Sequence, residues 1–134
     1  MAGYTLRALR YPSFYLADYD AAVAFYTRLL GDPGTNEDGL RGWQLGDSWL
    51  TFFPAKGAVP APDANPRNAE FAIEVAAPAE VDVLYAAFLA AGASPCMEPQ
   101  DTWMYVPMRF AVVDDPFGLR VDVYCPLPGD VDRV

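Results

Sequence analysis

Apolar positions between residues 20 and 31 fall at Ala22, Phe25, Tyr26, Leu29 and Leu30, the i, i+3, i+4, i+7, i+8 spacing of a helix that buries one face. Asp20 suits the N-cap and Gly31 the residue that ends the helix. Residues 78–92 repeat this design, with Val81, Leu84, Tyr85, Phe88 and Leu89 as the stripe, Pro78 in the first turn and Gly92 as the stop. Every member of the second stripe lies 59 positions after its counterpart in the first. The same offset aligns residues 11–16 with 70–75, where Pro12, Phe14, Leu16 and Phe71, Ile73, Val75 are the apolar alternates. Period-two alternation predicts strands with those residues turned toward the helix, and it puts Tyr11, Ser13, Tyr15 and Glu70, Ala72, Glu74 on the opposite face.

After each helix the pattern is strand-rich. Residues 40–45 and 48–54 flank Gly46-Asp47, a hairpin signal, and 108–113 and 120–125 flank Asp115-Pro-Phe-Gly118, which reads as turn chemistry. The remaining strand of each half is weakly written, near 33–37 and 94–97. The four prolines of residues 54–68 forbid regular pairing and mark a semi-rigid connector. The expected fold class is α+β, one domain over residues 1–134 built from tandem βαβββ modules whose mixed sheets form a cleft. The first module runs about 7–54, the linker 55–68, the second module about 69–125, and 126–134 is a polar, acidic tail expected to fray.

Composition narrows the chemistry. The 134 residues carry 18 acids, 9 bases and no histidine, a formal charge of −9. Phosphate backbones need a basic footprint, so nucleic acid is not an expected partner. Without imidazole there is no Ser-His-Asp or Cys-His catalysis, no HExxH zinc site and no two-histidine facial triad. A general base has to be a carboxylate, a tyrosine, a cysteine or the single lysine, Lys56, which reads as a surface charge. The first ten residues hold no continuous apolar run and nothing approaches a membrane span, so the chain is expected in the cytoplasm, off the membrane. Cys96 and Cys125 are too few for a disulfide framework; they read as packed thiols, with a bridge or a reactive thiol as the alternatives.

The residues that carry the repeat also carry a resemblance. Ala17-Asp18 followed by Ala21, Phe25-Tyr26 and Leu30-Gly31, then Glu74-Val75, Leu84-Tyr85 and Ala91-Ala-Gly92, then Arg109 through Gly118 and Val121-Asp122-Val123, resemble the vicinal oxygen chelate superfamily over residues 9–125. That group includes glyoxalase I, extradiol dioxygenases, methylmalonyl-CoA epimerase, fosfomycin-resistance enzymes and bleomycin-binding proteins. The resemblance implies a glyoxalase/bleomycin resistance/dioxygenase-like fold and a homodimer. In metal-dependent members it implies ligands at the first and last strand of each module, here Tyr11, Thr51, Glu70 and Asp122. Histidine and glutamate are usual there. Two carboxylates and a phenol offer at most a site for a hard ion such as Mg²⁺ or Mn²⁺, which counts against glyoxalase I and extradiol dioxygenase activity.

Alternation gives part of the cleft face independently: Tyr11, Ser13, Tyr15, Glu70, Ala72 and Glu74. If Thr51 and Asp122 face the cleft, as the resemblance implies, Trp49, Phe53, Arg120 and Tyr124 do too, with Trp43, Trp103, Met104 and Tyr105 in segments placed to form a rim. Aromatic walls stack on flat rings and carboxylates select cations, so a cationic or aromatic natural product is the ligand class that fits a metal-free binding protein. The alternative is a lyase, isomerase or epimerase using Glu70 or Asp122 as base, with or without a weakly held divalent metal. A third reading fills the groove with the protein's own side chains or a partner subunit, with Arg120 neutralised by Asp122 or Glu70.

Overall fold

The computed structural model describes residues 3, 5–35, 40–56, 64–67, 69–104 and 106–128. Strand β1 (Ser13–Leu16), helix α1 (Tyr19–Leu30), β2 (Arg41–Leu45) and β3 (Ser48–Pro54) make the first half. Strand β4 (Ala69–Glu74), helix α2 (Pro78–Ala91), β5 (Ser94–Met104), β6 (Val106–Asp114) and β7 (Leu119–Pro126) make the second. Sheet A has the order β1-β3-β2 and sheet B the order β4-β7-β6-β5. In each, the first strand lies parallel to the last, which requires the intervening helix as a crossover, and hairpins add antiparallel neighbours. The expected α+β class with a repeated unit is the one observed; among the described residues the second half is a full βαβββ unit, and the first is βαββ with a single further bridge.

Several boundaries differ from the expectation. Helix α1 starts one residue before Asp20, at Tyr19, with Asp18 in the capping position. The Asp18 carboxylate makes no cap bond; it accepts from the Asn65 amide at 2.9 Å while Asn65 Oδ1 accepts from the Asp18 N–H at 3.1 Å. This exchange ties the described end of the linker to the start of α1. The weak strand near 33–37 is reduced to one bridge, Thr35 to Gly42. The one near 94–97 extends to Met104, with breaks in register between Pro95 and Gln100. Tyr105, most of the linker and the end of the tail lie outside the described residues.

Both helix stripes turn inward as their spacing requires. Ala22, Phe25, Tyr26, Val81 and Phe88 are buried, and Leu29, Leu30, Leu84, Tyr85 and Leu89 pack at the margin of the same core. Aromatic rings from both halves meet there: Phe25 and Tyr26 each lie 6.1 Å from Phe88, Phe25 lies 5.5 Å edge-on from Phe117, and Phe14 lies 5.5 Å from Phe71. Each such ring contributes about 1.5–3 kcal/mol by leaving water, so this shared core outweighs any surface ion pair. At its centre the buried Tyr26 hydroxyl donates to Asp115 Oδ2 at 2.7 Å, joining α1 to the β6–β7 turn. Arg109 spans Asp82 of α2 at 2.7 Å and Asp101 of β5 at 2.9 Å. Cys96 is exposed, Cys125 is buried, and both are free thiols. Among the described residues no helix is long and apolar enough to cross a membrane.

Candidate functional site

With the helices covering one face of each sheet, the opposite faces stay open. On sheet A the register places Ser13 and Tyr15 of β1 beside Thr51 and Phe53 of β3, with Trp49 further along the strand. Together with Tyr11, Thr35 and Leu40, all of these but Tyr15 line a hollow of ≈ 380 Å³. Tyr15 and Phe53 stack at 5.1 Å. The Trp49 indole lies against Gly42, where a Cβ would come within 3.3 Å of its ring, so a glycine at that position makes room for the indole. The hydroxyls here are committed: Thr51 donates to the Pro12 carbonyl at 3.2 Å and bonds to Ser13, whose own hydroxyl reaches the Tyr11 carbonyl at 3.0 Å.

Sheet B orders its open face in rows running from β4 through β7 to β6: Glu70, Arg120 and Asp114; Ala72, Asp122 and Val112; Glu74, Tyr124 and Phe110. Met108 and Pro126 continue the pattern. Ala72, Glu74, Val106, Met108, Phe110, Asp122, Tyr124 and Pro126 line a hollow of ≈ 390 Å³. A polar recess of ≈ 500 Å³ adjoins it at Glu70, Asp114, Arg120 and Arg67. A wider groove of ≈ 970 Å³ runs along β4 toward Pro12, Phe14 and Leu50 of the first half.

Electrostatics differ from row to row. Arg120 reaches Asp114 through Nε at 2.7 Å and Nη2 at 3.0 Å, which holds the Asp114 carboxyl below its ordinary range. Tyr124 donates to Glu74 at 3.2 Å, and burial followed by that neighbouring carboxylate raises the Tyr124 phenol. Asp122 Oδ1 is buried without a donor. Burial first, then a proton shared with Glu70 and that residue's charge, push the Asp122 carboxyl up to about 7, with Arg120 opposing. A folded value above the ordinary 3.8 means that Asp122 favours the fold fully in acid and loses that contribution as pH rises through about 7. Asp122→Asn is therefore expected to gain about 1–2 kcal/mol on the parent between pH 4 and pH 8, solvent contact screening the rest. Urea denaturation at the two pH values measures it, and an unchanged difference would show that folding leaves the Asp122 carboxyl at its ordinary value.

The structure separates the expected cleft residues. Tyr11, Ser13, Tyr15, Trp49, Thr51 and Phe53 stand on sheet A, whereas Glu70, Glu74, Arg120, Asp122 and Tyr124 stand on sheet B. Trp43 is no rim residue: it is buried against Tyr26 and Phe52, and its indole N–H donates to the Gly31 carbonyl at 2.8 Å. Trp103 pairs with Pro107 on the face shared with Arg109, the helix side of sheet B. Met104 pairs with Val106 in the ladder. Arg120 binds neither Asp122 nor Glu70, because Asp114 faces it directly across the ladder. Val106, Met108 and Phe110 belong to the open face and were not among the expected residues; their register with the β7 row of Asp122 and Tyr124 is the signal that locates them.

The sequence model of the Glyoxalase/Bleomycin resistance protein/Dioxygenase superfamily matches residues 9–123, most of the chain. The chain belongs to this superfamily. Among solved structures, a glyoxalase/bleomycin resistance protein/dioxygenase family enzyme from Burkholderia phytofirmans PsJN is 22% identical with a TM-score of 0.72, covering 90% of this chain and 100% of its own. A glyoxalase/bleomycin resistance protein/dioxygenase from Nocardioides is 21% identical with a TM-score of 0.67, covering 98% and 93%. A glyoxalase-related enzyme from Fulvimarina pelagi is 19% identical with a TM-score of 0.69, covering 96% and 98%. At these identities the likeness is one of fold. No curated protein matches the chain.

The metal of the superfamily's metal-dependent members does not fit the donors present within one chain. Tyr11 and Thr51 line the hollow of sheet A, whereas Asp122 lines that of sheet B and Glu70 lines neither, so the four positions do not converge within one chain. Among the described residues no three of His, Cys, Asp and Glu gather at metal-binding distance.

Proposed function

We propose that the chain binds a small organic molecule on the open faces of its sheets, without chelating a metal, as a homodimer. The observation that carries this reading is the sheet B hollow of ≈ 390 Å³, whose walls are Ala72, Val106, Met108, Phe110 and Pro126 and whose polar groups are few and convergent: Glu74, Asp122 and Tyr124. Mostly apolar walls with a small number of placed polar groups are the composition of a ligand site. The stacked Tyr15 and Phe53 and the flat-lying Trp49 give sheet A a matching surface for planar rings. Leu6, Leu9 and Tyr11, exposed ahead of β1, support the homodimer. The test is thermal unfolding in EDTA against cationic and aromatic small molecules. A binder at about 100 times its Kd adds about 2.7 kcal/mol, a shift of several degrees that EDTA leaves unchanged. A panel in which nothing raises the transition, or only metal-loaded samples respond, sinks the proposal.

One observation favours a second reading, catalysis by the carboxylates as a lyase, isomerase or epimerase. A carboxyl pushed up to about 7 is poised to take and return a proton near neutrality. In that case Asp122→Asn and Glu70→Gln abolish turnover and leave the fold intact; turnover retained in both excludes it.

A further inference from the structure

Hydrogen-bond donors and acceptors on the open face of sheet B do not balance. Glu74 accepts from Tyr124 at 3.2 Å, and Asp114 takes both arms of Arg120 at 2.7 and 3.0 Å. Asp122 Oδ1 is left buried with no donor, and its neighbour Glu70 is another acceptor. A buried carboxylate oxygen without a donor is costly, and the deficit is relieved by any group that brings N–H bonds and positive charge. The groups facing this point are Glu70 and Glu74 from β4, Arg120 and Tyr124 from β7 and Asp114 from β6, with Arg67 lining the recess at Glu70; with Asp122 itself, four carboxylates face two guanidiniums and the local field draws cations. Beside the same carboxylate, the buried Met108, Phe110 and Val112 cluster with the half-buried Tyr124, and Val106 and Pro126 complete the apolar lining of the hollow.

Resting on the small-molecule reading above, we propose that this hollow takes an amphiphilic primary amine, its ammonium seated at Asp122 on the side of Glu70 in the adjoining recess, and its apolar body lying over Tyr124 between Val106 and Pro126, with Met108 and Phe110 as the floor. An ammonium carries three donors and no acceptor, which answers two facing carboxylates; an alcohol brings one donor and no charge, and a carboxylic acid adds a further repelled anion. The apolar wall demands the rest of the molecule, since a small hydrated cation gains nothing from Met108 and Phe110.

The test is isothermal titration of the full chain at pH 8 with octylamine, octanol and octanoate, repeated on Asp122→Asn and Glu70→Gln after circular dichroism shows that each variant is folded. Octylamine is expected to bind at least tenfold more tightly than octanol, with octanoate weakest. Either variant is expected to erase most of that margin while leaving octanol affinity unchanged. Equal binding of amine and alcohol, or a margin that survives both substitutions, overturns the amine assignment and leaves the small-molecule reading standing. Silence from all three compounds and from benzylamine overturns both.

Discussion

A Gly118→Ala variant is expected to lose about 2–5 kcal/mol of folding stability, a large part of what holds a domain of this size together. Two costs combine. Gly118 adopts φ of +90°, where an L side chain is strained by roughly 1–2 kcal/mol. A Cβ there also runs into the carbonyl oxygen of Pro66, which is backbone and cannot swing aside, so the linker must shift at a further cost of about 1–3 kcal/mol. Gly46 is the control: its φ is +61° but nothing lies within 4 Å of its Cβ position. Gly46→Ala therefore isolates the strain. Urea midpoints of the two variants compare the effects directly, and equal losses would mean that the seating of the linker on the turn contributes nothing.

Asp115→Ala is expected to cost about 4 kcal/mol. Asp115 Oδ1 accepts from the N–H groups of Phe117 and Leu119, each at 2.8 Å, and Oδ2 accepts from Tyr26, so truncation strands three donors in a buried place. Burial outweighs these bonds and raises the Asp115 carboxyl. Tyr26→Phe removes only the hydroxyl and should cost about 1–2 kcal/mol. A double-mutant cycle in urea separates the shared bond from the rest. Full additivity would show that the Tyr26–Asp115 bond carries no coupling across the two halves.

The two-unit architecture was legible because each helix stripe has a 3.6-residue period and each leading strand a period of two, repeated at one offset. The site was legible only in part. Ser13 and Glu70 lie on strands whose other face is apolar, so alternation chose their side, whereas Thr51 and Asp122 were placed by the resemblance. In β6 both Met108-Phe110-Val112 and Ala111-Val113 are apolar, so no face could be assigned without its register to β7. Trp43 shares its face with both Arg41 and Leu45, a mixed row that marks no side, and it packs inward against Tyr26 and Phe52. Composition places Arg120 near several acids, but only the ladder opposite Asp114 selects its partner. The two one-residue shifts in β5 between Pro95 and Gln100 cancel in parity, so Trp103 keeps the face of Pro95 but pairs with Pro107, two positions from the partner an uninterrupted ladder would give it.

Strands β1 and β4 each stand at the end of their sheet, β1 beside β3 and β4 beside β7, so each turns one row of backbone amides and carbonyls away from its neighbour. Such a row is a template on which another extended chain can add itself. Pro12, just ahead of β1, has no N–H to offer, and β4 spaces Glu70 and Glu74 along its length. The carboxylates that make the open face attractive to a cation thus carry a second duty: they keep this strand from growing into an aggregate with others of its kind.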